Sequence, residues 1–440
     1  DPAGPARGAG RVDRPGRPAG FRGTTGTFAA LRIPNYRRYL SGQMVSMCGS
    51  WMQTIALSWL VLTLGASGTE LGLVTAAQFL PVLLFGAYGG LIADRVDTRR
   101  LLYCTQLTAA LFPLTLGILV FTGVVQLWMV VIAAACIGTI SAIDNPARQS
   151  FVQEMVSPDL LPNAVTLNSI AMNGARVVGP AIAGTMIALV GTGGCFLLNA
   201  ASFAALPIAL TRMNRSELRP TPPVPRAHGQ LRAGFAYVMR VPELRVPLVM
   251  MFLIGALSYE FQVVLPLVAK ESFGGTASTY SLFTAAMGAG AVVGGLLVAR
   301  YRRVGIRALW MTAGIFGLLN LVAAAAPVLA LEIVALVAMG AASIAFISTG
   351  NATIQLASDP QMRGRVMALW SVALLGTTPI GGPIAGWVAE TFGARAGLVL
   401  AGVAALAGAG YALTSARSTG GGFGLRRTRQ PVTPAVSGSG

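Results

Sequence analysis

A chain of 440 residues that is 54% hydrophobic and only 11% charged is not a soluble domain, in which about a quarter of residues are charged. Mean hydropathy is +0.67, and apolar runs of about 20 residues, each able to cross a bilayer core of roughly 30 Å, recur along the chain. The net charge of +17 would suit nucleic acid, but its placement follows the loops between those runs and excludes a nucleic-acid footprint.

The runs fall at 37–64, 69–93, 101–122, 126–148, 160–190, 194–212, 246–269, 277–299, 307–326, 328–350, 365–389 and 394–415. They predict an all-α polytopic membrane protein of about twelve transmembrane helices. With the N-terminus inside, the short inner loops hold Arg95, Arg99, Arg100, Arg148, Arg300, Arg302, Arg303, Arg307, Arg363 and Arg365, while the outer loops hold only Lys270 and Arg395. This positive-inside asymmetry puts both termini in the cytoplasm of a cell-membrane protein.

Residues 1–36 are rich in Arg, Gly and Pro, and no apolar core follows at signal-peptide spacing. They are expected to form a disordered, basic cytoplasmic arm. The first span carries Gln43, Ser46, Ser50 and Gln53 at steps of three or four, so all four share one helix face. In lipid that face turns inward, to a partner helix or to a water-filled cavity.

The second span ends in Gly86-Ala87-Tyr88-Gly89-Gly90 and runs into Asp94-Arg95-Val96-Asp97-Thr98-Arg99-Arg100. Gly86 and Gly90 are one turn apart and leave a bare stripe for another helix. Asp94, with Arg95, Arg99 and Arg100, reads either as topology-setting charge or as a latch between two bundles, within reach of Arg365.

The fourth span ends with Asp144 and Arg148, four residues apart and able to pair. Asn145, Gln149 and Gln153 form a polar row beside them. The fifth span carries Asn168, Asn173 and Arg176, then Gly174, Gly179-Pro180 and Gly184. Arg176 lies about 20 Å from Pro162 at 1.5 Å per residue, too deep to snorkel. A charge at a helix centre costs roughly 2.5–3.5 kcal/mol on insertion scales, so it needs a partner or water. Gly179 and Pro180 are expected to bend this helix and pack it closely.

Residues 213–243 form the longest interior break in hydrophobicity, with Pro220, Pro222, Pro223 and Pro225 followed by an amphipathic helix over 231–240. This reads as a linker on the cytoplasmic membrane surface between a six-helix bundle at 37–212 and another at 244–416, with a disordered tail at 417–440. In the seventh span Glu260 stands beside Tyr259 and Gln262 at the depth of Arg176, and is the best-placed carboxylate for a coupling proton, biased by that arginine. Gln43, Ser46, Ser50, Gln53, Asn168, Asn173, Tyr259 and Gln262 are the candidate cavity-lining residues. Glu332, near the outer end of the tenth span, is expected to face water.

Cys48, Cys104, Cys136 and Cys195 lie singly, without metal-ligand or redox spacing. The single histidine, His228, is in a loop, and no phosphate-binding loop precedes Lys270, the single lysine. No metal, no cofactor and no enzymatic activity are expected.

The second half repeats the first. Gly294-Gly295-Leu296 and its arginines stand where Gly89-Gly90-Leu91 would fall about 200 residues later. Pro158, Leu167, Ser169, Ile182, Ala183 and Gly184 match Pro360, Leu369, Ser371, Ile384, Ala385 and Gly386 at one common offset. Two six-helix bundles related by a parallel repeat are a transporter signature.

On these residues the chain resembles the major facilitator superfamily. The stretch 90–100 is similar to that superfamily's loop motif between helices two and three, with Asp97 where many members have Gly and the closing arginines displaced by one residue. Gly174-Ala175-Arg176-Val177-Val178-Gly179-Pro180 through Gly184 resembles its fifth-helix antiporter motif. Asn35-Tyr36-Arg37-Arg38-Tyr39, Asp144-Asn145-Pro146-Ala147-Arg148-Gln149 and Arg363-Gly364-Arg365-Val366 resemble its secretion-effector branch, which includes macrolide, multidrug and siderophore exporters. The superfamily's fourth-helix arginine motif is missing, since Ala133-Ala134-Ala135-Cys136 precedes Gly138. The resemblance implies a monomeric secondary transporter that exports small amphipathic molecules (a drug, antibiotic or siderophore) against proton influx. A facilitator or importer, a lipid flippase, and a non-transporting membrane sensor are the alternatives.

Overall fold

In hydrocarbon every backbone N–H and C=O must be bonded within its own segment, which leaves helices as the structure for these apolar runs. The structure, a computed structural model, describes residues 26–93, 95–219, 230–301 and 304–418. The first half holds α1 (Pro34–Thr63), α2 (Gly68–Ala93), α3 (Thr98–Phe121), α4 (Leu127–Met155), α5 (Leu161–Ser202) and α6 (Ala205–Thr211). Next come the amphipathic α7 (Gln230–Arg240), then α8 (Pro242–Ser258), α9 (Phe261–Leu267), α10 (Ala277–Tyr301), α11 (Ile306–Ala325), α12 (Leu329–Ala357), α13 (Arg363–Leu375), α14 (Thr378–Phe392) and α15 (Ala394–Ser418). Eleven helical segments among the described residues are long and apolar enough to cross a bilayer. One of them, Pro158–Thr211, contains two passes. Helix α5 breaks at Gly191, where φ is +71° and a side chain would be strained, and the chain folds back along α1.

Four local features differ from the expected pattern. Residues 29–32 form a short 3-10 turn docked on α5, with the Ala30 amide donating to Asn163 Oδ1 at 2.9 Å, so folded structure begins inside the expected arm. The seventh span is interrupted at Tyr259 and Glu260, between α8 and α9. The eleventh is interrupted at Gly376 and Thr377, between α13 and α14, where Pro379 lacks the amide that would continue the helix. The dihedral break in α5 is at Gly191 and not at Pro180.

Helix α2 packs on α4, and α10 packs in the same way on α12. A Cβ at Gly138 would collide with the Gln78 carbonyl, and one at Gly340 with that of Met287. These glycines let the backbones approach, and they occupy matching places in the two halves.

The halves meet through α2 on α14 and α5 on α10. Gly72 faces Gly382, Gly68 faces Gly386, and Gly184 faces Ser278 and Ser281. Ser278 Oγ donates to the Gly184 carbonyl at 3.2 Å, Thr69 Oγ1 to Glu390 at 2.6 Å and Lys270 Nζ to the Leu62 carbonyl at 2.7 Å. All these contacts lie towards the end remote from the arginine-rich loops. At the arginine-rich end a Cβ on Gly174 or Gly295 would meet nothing within 4 Å.

Candidate functional site

Polar side chains in the first, third and fourth passes converge because in lipid they have no other way to be satisfied. Arg148 Nε and Asp144 Oδ2 form an ion pair at 2.5 Å along α4. From α3, Thr105 Oγ1 donates to Asp144 Oδ1 at 2.5 Å and Gln106 Nε2 donates to the same oxygen at 3.0 Å. Ser46 Oγ in turn donates to Gln106 Oε1 at 3.3 Å, and Tyr39 Oη donates to the Arg148 carbonyl at 3.4 Å. Arg148 Nη1 is buried without a hydrogen-bond partner.

This cluster forms one wall of a cavity of about 290 Å³. Helix α1 contributes Gln43, Ser50, Trp51 and Gln53; α4 contributes Asp144, Asn145, Arg148 and Gln149; and α5 contributes Asn168 and Met172. Gln43 Nε2 donates to Asn168 Oδ1 at 3.1 Å, and Asn199 Nδ2 donates to Gln53 Oε1. The lining residues all belong to the first half of the chain.

Four expected cavity residues lie elsewhere. Ser46 is buried behind the wall, held there by Gln106. Asn173 donates to the Ser169 carbonyl at 2.8 Å along its own helix. Tyr259 Oη donates to the Ser343 carbonyl at 2.8 Å, and its ring packs 5.3 Å from that of Phe316. Gln262 offers its carbonyl to Ser58 Oγ at 3.1 Å.

The expected partnership of Arg176 with Glu260 is absent from this structure. The Arg176 guanidinium lies over the Trp51 ring, 5.1 Å from its centroid, and makes no ion pair or hydrogen bond with the described residues. Arg176 is half-buried, and such a stack is worth about 0.5–2 kcal/mol. The stack supplies no countercharge. Glu260 is 3% exposed and sits in the break before α9. Its carboxylate lies on α14, where Oε1 is 2.8 Å from the place a Cβ would take on Gly381, and Oε2 is 3.5 Å from that place on Gly382. Oε1 has no hydrogen-bond partner. Glu332, expected in water, is 0% exposed, with both oxygens unpartnered. The fourth residue of α12 packs inside the half, not at its rim.

The glycine-arginine stretch also departs from expectation. Asp94 lies outside the described residues. A Cβ on Gly86 would meet nothing within 4 Å, and the close approach to α4 is made by Gly89 against the Ala142 carbonyl, with Gly90 buried beside it. Arg99 is not free for a latch: its Nε donates to the Leu210 carbonyl at 3.1 Å, bracing α3 on α6 within one half. Arg95 and Arg100 are exposed, and the Arg100 amide is capped by Asp97 Oδ1 at 2.8 Å. In α5, Gly179 seats α1, since its Cβ would fall 2.5 Å from Trp51 Cβ and 2.8 Å from the Cys48 carbonyl. Pro180 is buried beside it and removes the amide that would bond to the Arg176 carbonyl.

Sequence reasoning passed over Thr105, Gln106 and Asn199. Each is a polar residue in an apolar run, and that alone was a usable signal.

A sequence profile described as transmembrane secretion effector matches residues 25–419. The staphyloferrin A transporter of Staphylococcus aureus (strain NCTC 8325 / PS 47) is 25% identical over 59% of this chain and 66% of its own length. The MFS-type transporter YfiS of Bacillus subtilis (strain 168) is 26% identical over 47% of this chain and 49% of its own. The chain thus spans about half to two thirds of these two relatives. Macrolide efflux protein A of Streptococcus pyogenes is 22% identical over 82% of this chain and 91% of that protein. Among solved structures, a bacterial homologue of the human lysosomal transporter Spinster, inward-facing and unoccupied, superposes with a TM-score of 0.70 at 14% identity, covering 90% of this chain and 98% of that one. The nucleoside transporter NupG gives 0.66 at 15% identity, over 87% and 98%.

Proposed function

The chain belongs to the transmembrane secretion effector family, and on that premise we propose that it is a secondary exporter of small amphipathic molecules, driven by proton influx and working by alternating access. The observation that carries this reading is the one-sided contact between the halves. They touch through Gly72–Gly382 and Gly184–Ser281 at one end, and a polar cavity stands beside the unsealed arginine-rich end. Placing those arginines in the cytoplasm by the positive-inside pattern makes this a state open to the cell interior. Macrolide efflux protein A among the relatives supports export, and the staphyloferrin A transporter supports an organic small molecule as cargo.

Glu260 is the proposed proton site. It is buried, one of its oxygens lacks a partner, and it rests on the Gly381–Gly382 pair. Gly382 in turn makes the sealing contact with Gly72, so a change of charge on Glu260 acts one layer behind the seal. A proton gained or lost at Glu260 changes the charge that rests on α14, and with it the fit of the Gly72–Gly382 contact.

Everted membrane vesicles loaded through an imposed proton gradient, with erythromycin and a panel of dyes as substrates, test the reading. Uptake should need the gradient and collapse with an uncoupler. Glu260→Gln should abolish uphill accumulation yet still permit downhill exchange. Uphill transport by that variant with unchanged pH dependence would remove Glu260 from the mechanism, and gradient-independent uptake would remove proton coupling altogether.

A further inference from the structure

The charges in the cavity lining cancel, and the cation left over is Arg176, which stands just outside the lining against Trp51. Asp144 is the single carboxylate in the lining and it is already paired with Arg148. Arg176 lies on the same face of α5 as the lining residues Asn168 and Met172, at steps of four residues, and stacks on the lining residue Trp51. What surrounds it supplies no countercharge. Trp51 comes from α1 and Gly288 of α10 approaches its carbonyl, while the hydroxyl of Tyr259 is committed to the Ser343 carbonyl. Glu260 faces α14. Pro180 and Gly179 hold this part of α5 against α1, so the guanidinium is positioned by packing and not by an acid.

We infer that Arg176 is the anchor for an anionic group of the transported molecule, so that the substrate is an amphipathic organic anion of the carboxylate class. This rests on the carrier reading above and adds the substrate's charge to it. A planar guanidinium receives a carboxylate through two parallel hydrogen bonds, and an incoming anion supplies the countercharge that the protein withholds. Asn168, whose oxygen accepts from Gln43, has its amide nitrogen left for a second polar group. Met47, Leu57 and Met172 give the apolar body a soft, adaptable surface. A cationic amphiphile would meet net repulsion, and a neutral one would gain only the apolar contacts.

The test uses the full chain in lipid nanodiscs and three probes that share one ring system: 2-naphthaleneacetate, its neutral amide, and 2-naphthylethylammonium. Equilibrium dialysis should show the acetate binding about tenfold tighter than the amide, the scale of one charge-assisted hydrogen bond, with the ammonium weakest. Arg176→Gln should remove that preference while leaving amide affinity within about twofold, which also shows that the variant is folded. Arg176→Lys, which keeps the charge but not the fork, should fall between the two. Glu260→Gln should leave the preference intact. Equal binding of acetate and amide, strongest binding of the ammonium, binding of none of the three, or a preference that survives in Arg176→Gln each overturns the inference. Vesicle assays separate this from the carrier reading. Anion binding without transport of any compound refutes the carrier and leaves the site standing. Transport with no anion preference in binding does the reverse.

Discussion

Asp144 and Arg148 act as one unit, because each is the other's answer to burial. Removing one partner of a buried pair costs about 3–5 kcal/mol, since the remaining charge is left uncompensated. Arg148→Met should therefore lower the melting temperature in detergent sharply, whereas the double variant Asp144→Asn/Arg148→Met should recover most of the loss. A double variant no more stable than the single one would show that the pair contributes more than mutual neutralisation. The pair was legible in the sequence because both residues are on one helix at a spacing of four. Their support from Thr105 and Gln106 was not, because it depends on how α3 is rotated against α4. The same limit separated Arg176 from Glu260. Equal depth along two helices is readable from residue counts, but the lateral direction that sends one to Trp51 and the other to Gly381 is not.

At the scale of the element, Gly179 is a point of close approach between α1 and α5. A methyl group there would sit within 3 Å of both Trp51 Cβ and the Cys48 carbonyl, and Cys48's carbonyl belongs to helix backbone that cannot step aside. Overpacking of this kind costs about 1–3 kcal/mol. Gly179→Ala should lower thermal stability by that amount and slow transport, and Gly179→Leu should block transport; wild-type turnover in the leucine variant would refute the packing role. Helix α7 is held by Val238, buried in the core, and by polar contacts with the turn that precedes α13. Tyr237 Oη donates to Asp359 Oδ2 at 2.9 Å and accepts from the Asp359 amide at 3.2 Å. Tyr237→Phe removes both, at about 1 kcal/mol each, so amide exchange in α7 should quicken while that in α8 stays unchanged. The amphipathic pattern of α7 and the passes were readable from apolar runs alone. The break in the seventh pass was not: it falls on Tyr259 and Glu260, with no Gly or Pro to announce it, and tertiary contacts to α14 and α12 hold it.

For the whole molecule, the pairing of α5 with α10 gives a prediction about motion. The contacts Gly184–Ser281 and Val177–Gly288 step by seven residues on each helix, so the next pair towards the arginine-rich end is Ile170 and Gly295. Ile170 is exposed, and a Cβ on Gly295 would meet nothing within 4 Å. With Cys48, Cys104, Cys136 and Cys195 replaced, cysteines at 170 and 295 should crosslink only when the halves rock shut at that end, and the crosslinked protein should not transport. Full activity after complete crosslinking would refute alternating access.

The one-sided lining of the cavity bears on how such a protein changes its diet. If the residues that greet the cargo all lie before position 204, the second half serves as a shutter that moves but does not choose. Selection for a new compound would then act on one half while the other stays free to be tuned for speed and coupling. A chimera carrying residues 26–212 of this chain and the second half of a relative should inherit its taste from the first parent and its turnover from the second.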